Sequence, residues 1–373
     1  MTIAHAKLSA SGSHRWLNCT GSVKAEQDYP TGGSSIFAQE GTRAHELADI
    51  CLKSGKPATD YVGSTIEDGV VDVEMADYVQ QYVDYVQSFK GDAFYEQRVE
   101  FTDWVAGGFG TSDAIVVEPD GKTVHVIDLK YGKGVAVDAE ENTQGILYAL
   151  GVYQDYKFIY DELDTFVIHI YQPRIGNFSR WSVSVPDLLN WGEWIAQQAE
   201  TALTDDAPRT PGEKQCNWCA HKACCVELKQ YMHDVIAADF DDLTSPDKLS
   251  KSDLVNIHTH KSMITGWLDA VDKKITTEML DGEKYPDLKL VAGRSLRKWS
   301  NEKDAETKLV ELLDQDAYNK KLLSVAQAEK ALGKTRKAEI NDLVIKPPGK
   351  PTIAPTSDKR PALDDVTDDF DAV

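Results

Sequence analysis

Five polar residues in one stretch of the chain, 107–148, have the types and order expected of a phosphodiester-cleaving metal site. They are Asp113, Asp128, Lys130, Gln144 and Tyr148. Two carboxylates, with the backbone carbonyl of Leu129 between Asp128 and Lys130, would supply the hard oxygen ligands that Mg²⁺ or Mn²⁺ prefers. A lysine beside them could orient or deprotonate the attacking water. The pattern indicates metal-assisted hydrolysis of a phosphate ester.

The elements that must position these groups can be read from the same stretch. Two apolar runs flank Glu118-Pro-Asp-Gly121, a turn sequence in which proline presets φ and glycine relieves strain. A β-hairpin is therefore predicted, followed by a helix start. Asp128 and Lys130 share one face of the second strand because side chains alternate with period 2. Opposite charges on a buried strand are costly unless a partner such as a metal ion compensates them.

The ordered set carries a resemblance. Gly110–Asp113 (GTSD), Asp128-Leu-Lys130 and Gln144-x-x-x-Tyr148 resemble motifs II and III and the QxxxY motif of the PD-(D/E)XK nucleases, in the RecB-like exonuclease branch. A single D-x-K triplet would be weak evidence, whereas the set on strand, strand and helix is much stronger. The resemblance covers about residues 10–230. It implies an α/β fold with a restriction-endonuclease-like core, in which helices flank a mixed central sheet.

The same resemblance implies a further metal ligand. In the RecB-like branch a histidine on an early helix, often after a glycine, binds the metal, and Gly41-Thr-Arg-Ala-His45 matches that arrangement. By itself, a lone helical histidine is more often structural. Glu96 and Glu100, on a predicted strand over 94–101, are candidate acids of the substrate site. They rank below Asp113 because exposed strand glutamates are commonly only solvated.

Six cysteines are unevenly distributed, and four of them crowd into CNWCAHKACC, residues 216–225. Clustered thiols in a reducing compartment indicate metal ligation rather than disulfides. Cys216-x-x-Cys219-x₅-Cys225, with Cys19 from the far end of the core, is similar to the split cluster of AddB-type and CRISPR-associated iron–sulfur nucleases. A [4Fe-4S] cluster is implied, and tetrahedral Zn²⁺ remains the alternative for four thiolates. Either would staple the first residues to the end of the core.

Charge and hydropathy limit the class of protein. A net charge of −21 argues against a surface coated in basic residues, so contact with DNA would need a local basic groove. No apolar run approaches the ~20 residues that cross a bilayer. The start, MTIAHAKLSASGSH, lacks the features of a signal peptide. We expect no membrane contact and a cytoplasmic protein, in the bacterial host cell if it is phage-encoded.

The remaining core elements follow from periodicity. Helices are predicted at 38–52, 72–89, 144–156 and 186–203, with a strand at 165–171. Arg174 and Arg180, just past that strand, could contact DNA phosphates, and two surface arginines are about equally plausible.

Beyond residue 230 the sequence predicts appendages. Residues 231–342 are expected to be mainly helical and locally basic, and 343–373 to be a disordered linker with an acidic tail. Within 288–299, Arg294, Arg297 and Lys298 could grip single-stranded DNA, or could protect an edge strand from aggregation. The tail could dock on a single-stranded DNA-binding or replication protein, or be merely solubilising.

The expected function is a divalent-metal-dependent deoxyribonuclease, an exonuclease rather than an endonuclease, acting on single strands or duplex ends. Phage recombination, replication or DNA-end processing is the expected setting. One alternative is a catalytically silent nuclease-like module that binds DNA ends or a replication partner. Another is a zinc-stapled structural protein with an accidental D-x-K.

Overall fold

A computed structural model describes residues 6–27, 36–67, 69–240 and 251–286, with the single positions 29, 288 and 307. The chain divides into two compact units, Met1–Leu290 and Val291–Val373. Almost all described residues belong to the first unit. The domain limits predicted at residues 230 and 342 stay predictions, and the linker, the acidic tail and the basic 288–299 segment fall almost wholly outside the described residues.

The first unit is built on a five-stranded sheet with the order β3-β4-β5-β6-β7. The bounds are β3 Asp92–Glu100, β4 Phe109–Val117, β5 Thr123–Leu129, β6 Thr165–Gln172 and β7 Asn177–Ser184. Neighbours pair antiparallel except β5 and β6, which run parallel. A small separate hairpin consists of β1 Thr65–Ile66 and β2 Gly69–Val70.

The helices of the described residues precede, connect and follow the strands of this sheet. Short helices α1 Ser13–Trp16 and α2 Ser22–Ala25 precede α3 Ile36–Ser54 and α4 Val73–Gln87. The β5–β6 crossover carries α5 Thr143–Tyr156, and α6 Val185–Ala202 follows the sheet. The remainder are α7 Glu213–Cys216, α8 Val226–Phe240 and α9 Lys251–Leu280. None of the described helices is long and apolar enough to span a membrane.

The β4–β5 hairpin forms for the local reason that its turn sequence gives. The Gly121 N–H donates to the Glu118 carbonyl at 2.9 Å, closing the turn. Gly121 has φ +69°, a conformation in which a Cβ would be strained. The predicted turn is therefore confirmed, and it fixes Asp113 and Asp128 near the opposite end of the hairpin.

Alternation along the strands divides the interior into two cores, one on each face of the sheet. On β5, Val124 and Val126 belong to the core beneath α5 and α6, whereas Ile127 and Leu129 belong to the core beneath α3 and α4. Both faces are covered, so a mixed sheet flanked by helices is confirmed. The sequence prediction missed β7, because NFSRWSVS alternates only on one half-buried face.

Candidate active site and cysteine cluster

The two aspartates lie near the carboxyl end of β5, each fixed by a different contact. Asp113, on β4, accepts the Leu129 N–H at 2.7 Å through Oδ2. Asp128, on β5, has a side chain only 6% exposed. A carboxylate that is buried must be paired or hydrogen-bonded, since an isolated buried charge is costly. The contacts of both groups therefore define the chemistry of the site.

His45 extends from α3 to Asp113. Its neighbours Ala44, Leu47 and Ala48 anchor α3 in the core on this face of the sheet. His45 Nδ1 lies 3.1 Å from Asp113 Oδ1. Burial lowers the pKa of the imidazole, but the Asp113 carboxylate more than offsets this and raises the pKa of His45 to about 9. The two groups form an ion pair, and His45 would have to lose this proton to bind a metal.

Glu96, which the sequence prediction ranked below Asp113, completes a three-residue group with His45 and Asp113. Ligand atoms of His45, Glu96 and Asp113 all lie within 4.8 Å of one another. Burial, with the nearby Asp113 charge, raises the pKa of Glu96 to about 7. Its φ of +46° is uncommon for a residue with a Cβ, and such strain concentrates at functional sites.

The register of the β3–β4 hairpin explains why the sequence alone did not single out Glu96. Tyr95 pairs with Ala114 and Gln97 with Ser112, so Glu96 lies opposite Asp113. Residues directly opposite on an antiparallel pair share one face. Two facing acids would have been the signal, but it is visible only once the register is known.

Lys130 belongs to a second group, joined by the side-chain amide of Gln144. Lys130 Nζ lies 2.8 Å from Asp128 Oδ2 and donates to Gln144 Oε1 at 2.8 Å. Gln144 Nε2 donates to Asp128 Oδ1 at 3.0 Å and to the Tyr148 hydroxyl at 3.2 Å. The structure thus brings Asp128, Lys130, Gln144 and Tyr148 together, the four residues that the sequence had placed on one strand and one helix.

Helix α5 is fixed so that Gln144 faces Asp128. Asn142 caps its N-terminus by accepting the Gly145 N–H at 3.0 Å, a typical N-cap contact. The Ser13 and Thr143 hydroxyls are 2.7 Å apart, which ties α1 to the first turn of α5.

The charge states in this second group follow from burial and pairing. Burial raises the pKa of Asp128, although Lys130 opposes the shift. Burial lowers the pKa of Lys130, but the Asp128 carboxylate outweighs it and leaves the lysine pKa above its ordinary value. Lys130 is therefore an ammonium ion, suited to neutralise charge and orient water.

The donor set fits a divalent metal. One imidazole nitrogen and two carboxylates, from His45, Glu96 and Asp113, suit Mn²⁺ or Mg²⁺. Asp128 lies outside this close group and contacts Lys130 and Gln144 instead. The ligand roles predicted for Asp128 and for the Leu129 carbonyl stay predictions.

The predicted cysteine ligands meet at a second location. Cys19, Cys216, Cys219 and Cys225 line one pocket, whereas Cys224 is exposed and does not line it. Backbone N–H groups of Thr210, Gly212 and Leu228 point at three of the sulfurs, Cys19, Cys216 and Cys225, at 3.3–3.4 Å. N–H donors directed at sulfur stabilise a thiolate ligand.

Four thiolates suit tetrahedral Zn²⁺ and a [4Fe-4S] cluster alike. The choice between these two groups stays a prediction.

The predicted DNA-contacting arginines are placed differently from one another. The Arg174 side chain is 9% exposed, and its guanidinium forms ion pairs with Glu40 at 2.9 Å and Glu74 at 3.8 Å. It also lies over the Tyr131 ring. Arg180 is exposed on β7. Arg294, Arg297 and Lys298 lie outside the described residues. Contact of any of these side chains with DNA stays a prediction, and the pairing of Arg174 gives it a structural role first.

A match to a known family extends over most of the chain. The family whose model matches is described as "Protein of unknown function (DUF2800)", and the match spans residues 5–361. A solved structure described as "Crystal structure of SSO0001" is similar at 14% identity, covering 56% of this chain and 94% of that chain. Its TM-score of 0.24 is too low for the likeness to support an argument.

Proposed function

This chain belongs to the DUF2800 family, and we propose that it is a divalent-metal-dependent deoxyribonuclease. The observation that carries the proposal is the convergence of two groups near the carboxyl end of β5. The first is His45, Glu96 and Asp113, with ligand atoms within 4.8 Å of one another. The second is Asp128 and Lys130, joined by Gln144.

Energetics support a catalytic rather than a merely structural role for this site. Removing two unlike charges from water costs several kcal/mol per ion, and pairing returns that cost only in part. An apolar pair at Asp128 and Lys130 would stabilise this edge of the sheet at least as well. A chain that keeps Asp128, with its side chain 6% exposed, beside Lys130 gains chemistry from it.

Each residue has a role that its contacts define. Asp113 and Glu96 provide carboxylate oxygens, and His45 provides a nitrogen, for the metal. When bound, a divalent ion would polarise the phosphate and lower the pKa of a coordinated water. Lys130 holds an ammonium beside Asp128 and can orient the water and neutralise charge on the phosphoryl oxygens. Gln144 fixes both Asp128 and Lys130 through its single amide.

The finer assignment is a PD-(D/E)XK core of the RecB-like branch with a [4Fe-4S] staple. It is supported by the position of GTSD, D-x-K and QxxxY on β4, β5 and α5, and by the four cysteines that line one pocket. We propose an exonuclease that processes DNA ends in phage recombination or replication, inside a bacterial host cell. Single-stranded DNA and duplex ends are its proposed substrates.

The test is cleavage of end-labelled single- and double-stranded DNA by anaerobically purified protein, with Mg²⁺ or Mn²⁺ and with EDTA. The Lys130→Ala variant should lose activity by about 10²-fold or more, a typical cost of removing one group that stabilises charge in the transition state. Lys122→Ala is the matched control, because Lys122 lies at the other end of the hairpin strand and pairs with Glu162 at 3.1 Å. Metal-dependent cleavage that persists in Lys130→Ala would refute the assignment of the site. Tight DNA binding without cleavage, with or without added metal, would indicate a non-cutting module.

A further inference from the structure

The loop between Lys130 and α5 has an exposed tip on a fixed base. Tyr131 and Ala139 are buried at its two ends. Between them, the five residues 132–136 (GKGVA) are exposed in succession. The tip directly follows Lys130, so whatever binds there lies beside the candidate active site.

One buried side chain holds the shape of this tip from beneath. Gln172 is 2% exposed at the end of β6, the strand parallel to β5. Its Nε2 donates to the carbonyls of Gly132 at 3.0 Å and Val135 at 3.1 Å, and its Oε1 accepts the Val137 N–H at 3.2 Å. Three hydrogen bonds from one buried amide make this a loop of defined shape.

Holding those two carbonyls orients two N–H groups outward. Every peptide bond of the described residues is trans. In a planar trans peptide the N–H points opposite to the carbonyl of the same unit. Because the carbonyls of Gly132 and Val135 face Gln172, the N–H groups of Lys133 and Ala136 face away from it. In the part of the chain that the structure describes, neither N–H has a hydrogen-bond partner.

Among the described residues, no packing contact requires the two glycines of the tip. A Cβ added at Gly132 or Gly134 would meet no atom within 4 Å, and neither residue has a positive φ. Glycine at such open positions permits the close approach of a ligand to the backbone. The tip also carries Lys133, whose contact with Glu74 at 3.2 Å joins two half-exposed groups. Such a surface pair contributes little and can be exchanged for another anion.

We propose that residues 132–136 bind a backbone phosphate of the DNA strand next to the one being cleaved. The N–H groups of Lys133 and Ala136 donate to its oxygens, and the Lys133 ammonium neutralises its charge. Backbone N–H groups and lysines commonly fix the register of a nucleic acid in this way. The inference rests on the proposed deoxyribonuclease function and adds the subsite that sets the position of the strand.

The first experiment measures the affinity for a short single-stranded DNA by fluorescence anisotropy, with Ca²⁺ replacing Mg²⁺. Gly134→Val places a side chain over the tip without an internal clash, so it should raise Kd about tenfold through loss of charge-assisted hydrogen bonds. Lys133→Ala should lower the dependence of log Kd on log salt by about 0.7, the value for one phosphate contact on a single strand. Gly266→Val is the matched control, since Gly266 on α9 also has nothing within 4 Å.

The second experiment locates the phosphate and separates the outcomes. A neutral methylphosphonate is placed at successive positions near the cut, and cleavage with Mg²⁺ is measured. At one position the methylphosphonate should slow cleavage by the wild-type protein. At that position it should not further slow cleavage by Gly134→Val. An equal fall in cleavage rate in both proteins at every position, or a Gly134→Val variant with wild-type affinity, would overturn the proposed subsite. Cleavage by the wild-type protein would still uphold the proposed nuclease activity. A wild-type protein that neither binds nor cleaves DNA would overturn both proposals. An unchanged Tm of Gly134→Val would show that its loss of DNA affinity is not due to misfolding.

Discussion

Replacing Lys130 by methionine tests the energetics of the candidate site without any assay of activity. The substitution keeps much of the side-chain volume and removes the ammonium that lies 2.8 Å from Asp128 Oδ2. Asp128 remains with its side chain 6% exposed and keeps only the Gln144 amide as a direct donor. We expect a large loss of stability, because a buried carboxylate is left without its counter-charge.

The magnitude follows from the contacts. Breaking a buried ion pair by removing one partner costs about 3–5 kcal/mol. The remaining hydrogen bond from Gln144 to Asp128 places Lys130→Met near the lower end, about 3 kcal/mol. Asp128→Asn should cost less, about 1 kcal/mol, because the Lys130 side chain is 27% exposed and its ammonium can reach solvent. The double variant Asp128→Asn/Lys130→Met buries no charge and should recover most of the loss.

The assay is urea unfolding of the four proteins in EDTA at neutral pH, followed by circular dichroism. The expected signature is a coupling energy of about 2 kcal/mol or more between the two positions, beyond the 0.3–0.5 kcal/mol scatter typical of independent sites. Costs that simply add in the double variant, or a Lys130→Met variant less than about 1 kcal/mol below wild type, would refute the view of a buried, mutually dependent pair.

Three further predictions concern other parts of the molecule. Burial lowers the pKa of His169 to about 3, below its ordinary 6.5, so the unfolded chain binds more protons between these pH values. The free energy of unfolding should therefore fall as pH drops through this window, by at most about 1.4 kcal/mol per pH unit. His169→Gln should reduce that slope in acid titrations. Iron and sulfide content of anaerobically purified protein should fall in Cys225→Ser and stay at the wild-type level in Cys224→Ser, because only Cys225 lines the pocket; the reverse result would exchange their roles. Gly145→Ala should lower stability by about 1–3 kcal/mol in thermal unfolding, because its Cβ would meet Ile168 Cγ2 at 2.5 Å in a packed core, and an unchanged Tm would contradict that packing.

Local pattern was sufficient for much of the site. The period of a strand places Asp128 and Lys130 on one face, and the spacing of a helix turn does the same for Gln144 and Tyr148, so short-range geometry alone forms each pair. The hairpin turn at Glu118–Gly121 is equally local, because proline and glycine fix φ within four residues.

Local sequence pattern could predict metal ligation by the cysteines but not their arrangement in space. Four thiols close in sequence indicate ligation, but the distance along the chain between Cys19 and Cys216 carries no geometric information. The pocket is formed by contacts between distant segments, such as the Gly21 N–H donating to the Pro208 carbonyl at 2.8 Å. The exclusion of Cys224 from the pocket is a consequence of that packing.

By itself, the sequence determined the types of groups and the elements that carry them, because strand and helix periods act over a few residues. Only the tertiary structure decided that Glu96 faces Asp113, since this depends on the register of two strands. Tertiary packing also committed Arg174 to Glu40 and placed the buried Gln172 beneath the loop tip. Register and burial are set by contacts between residues distant in the chain, and no local pattern encodes them.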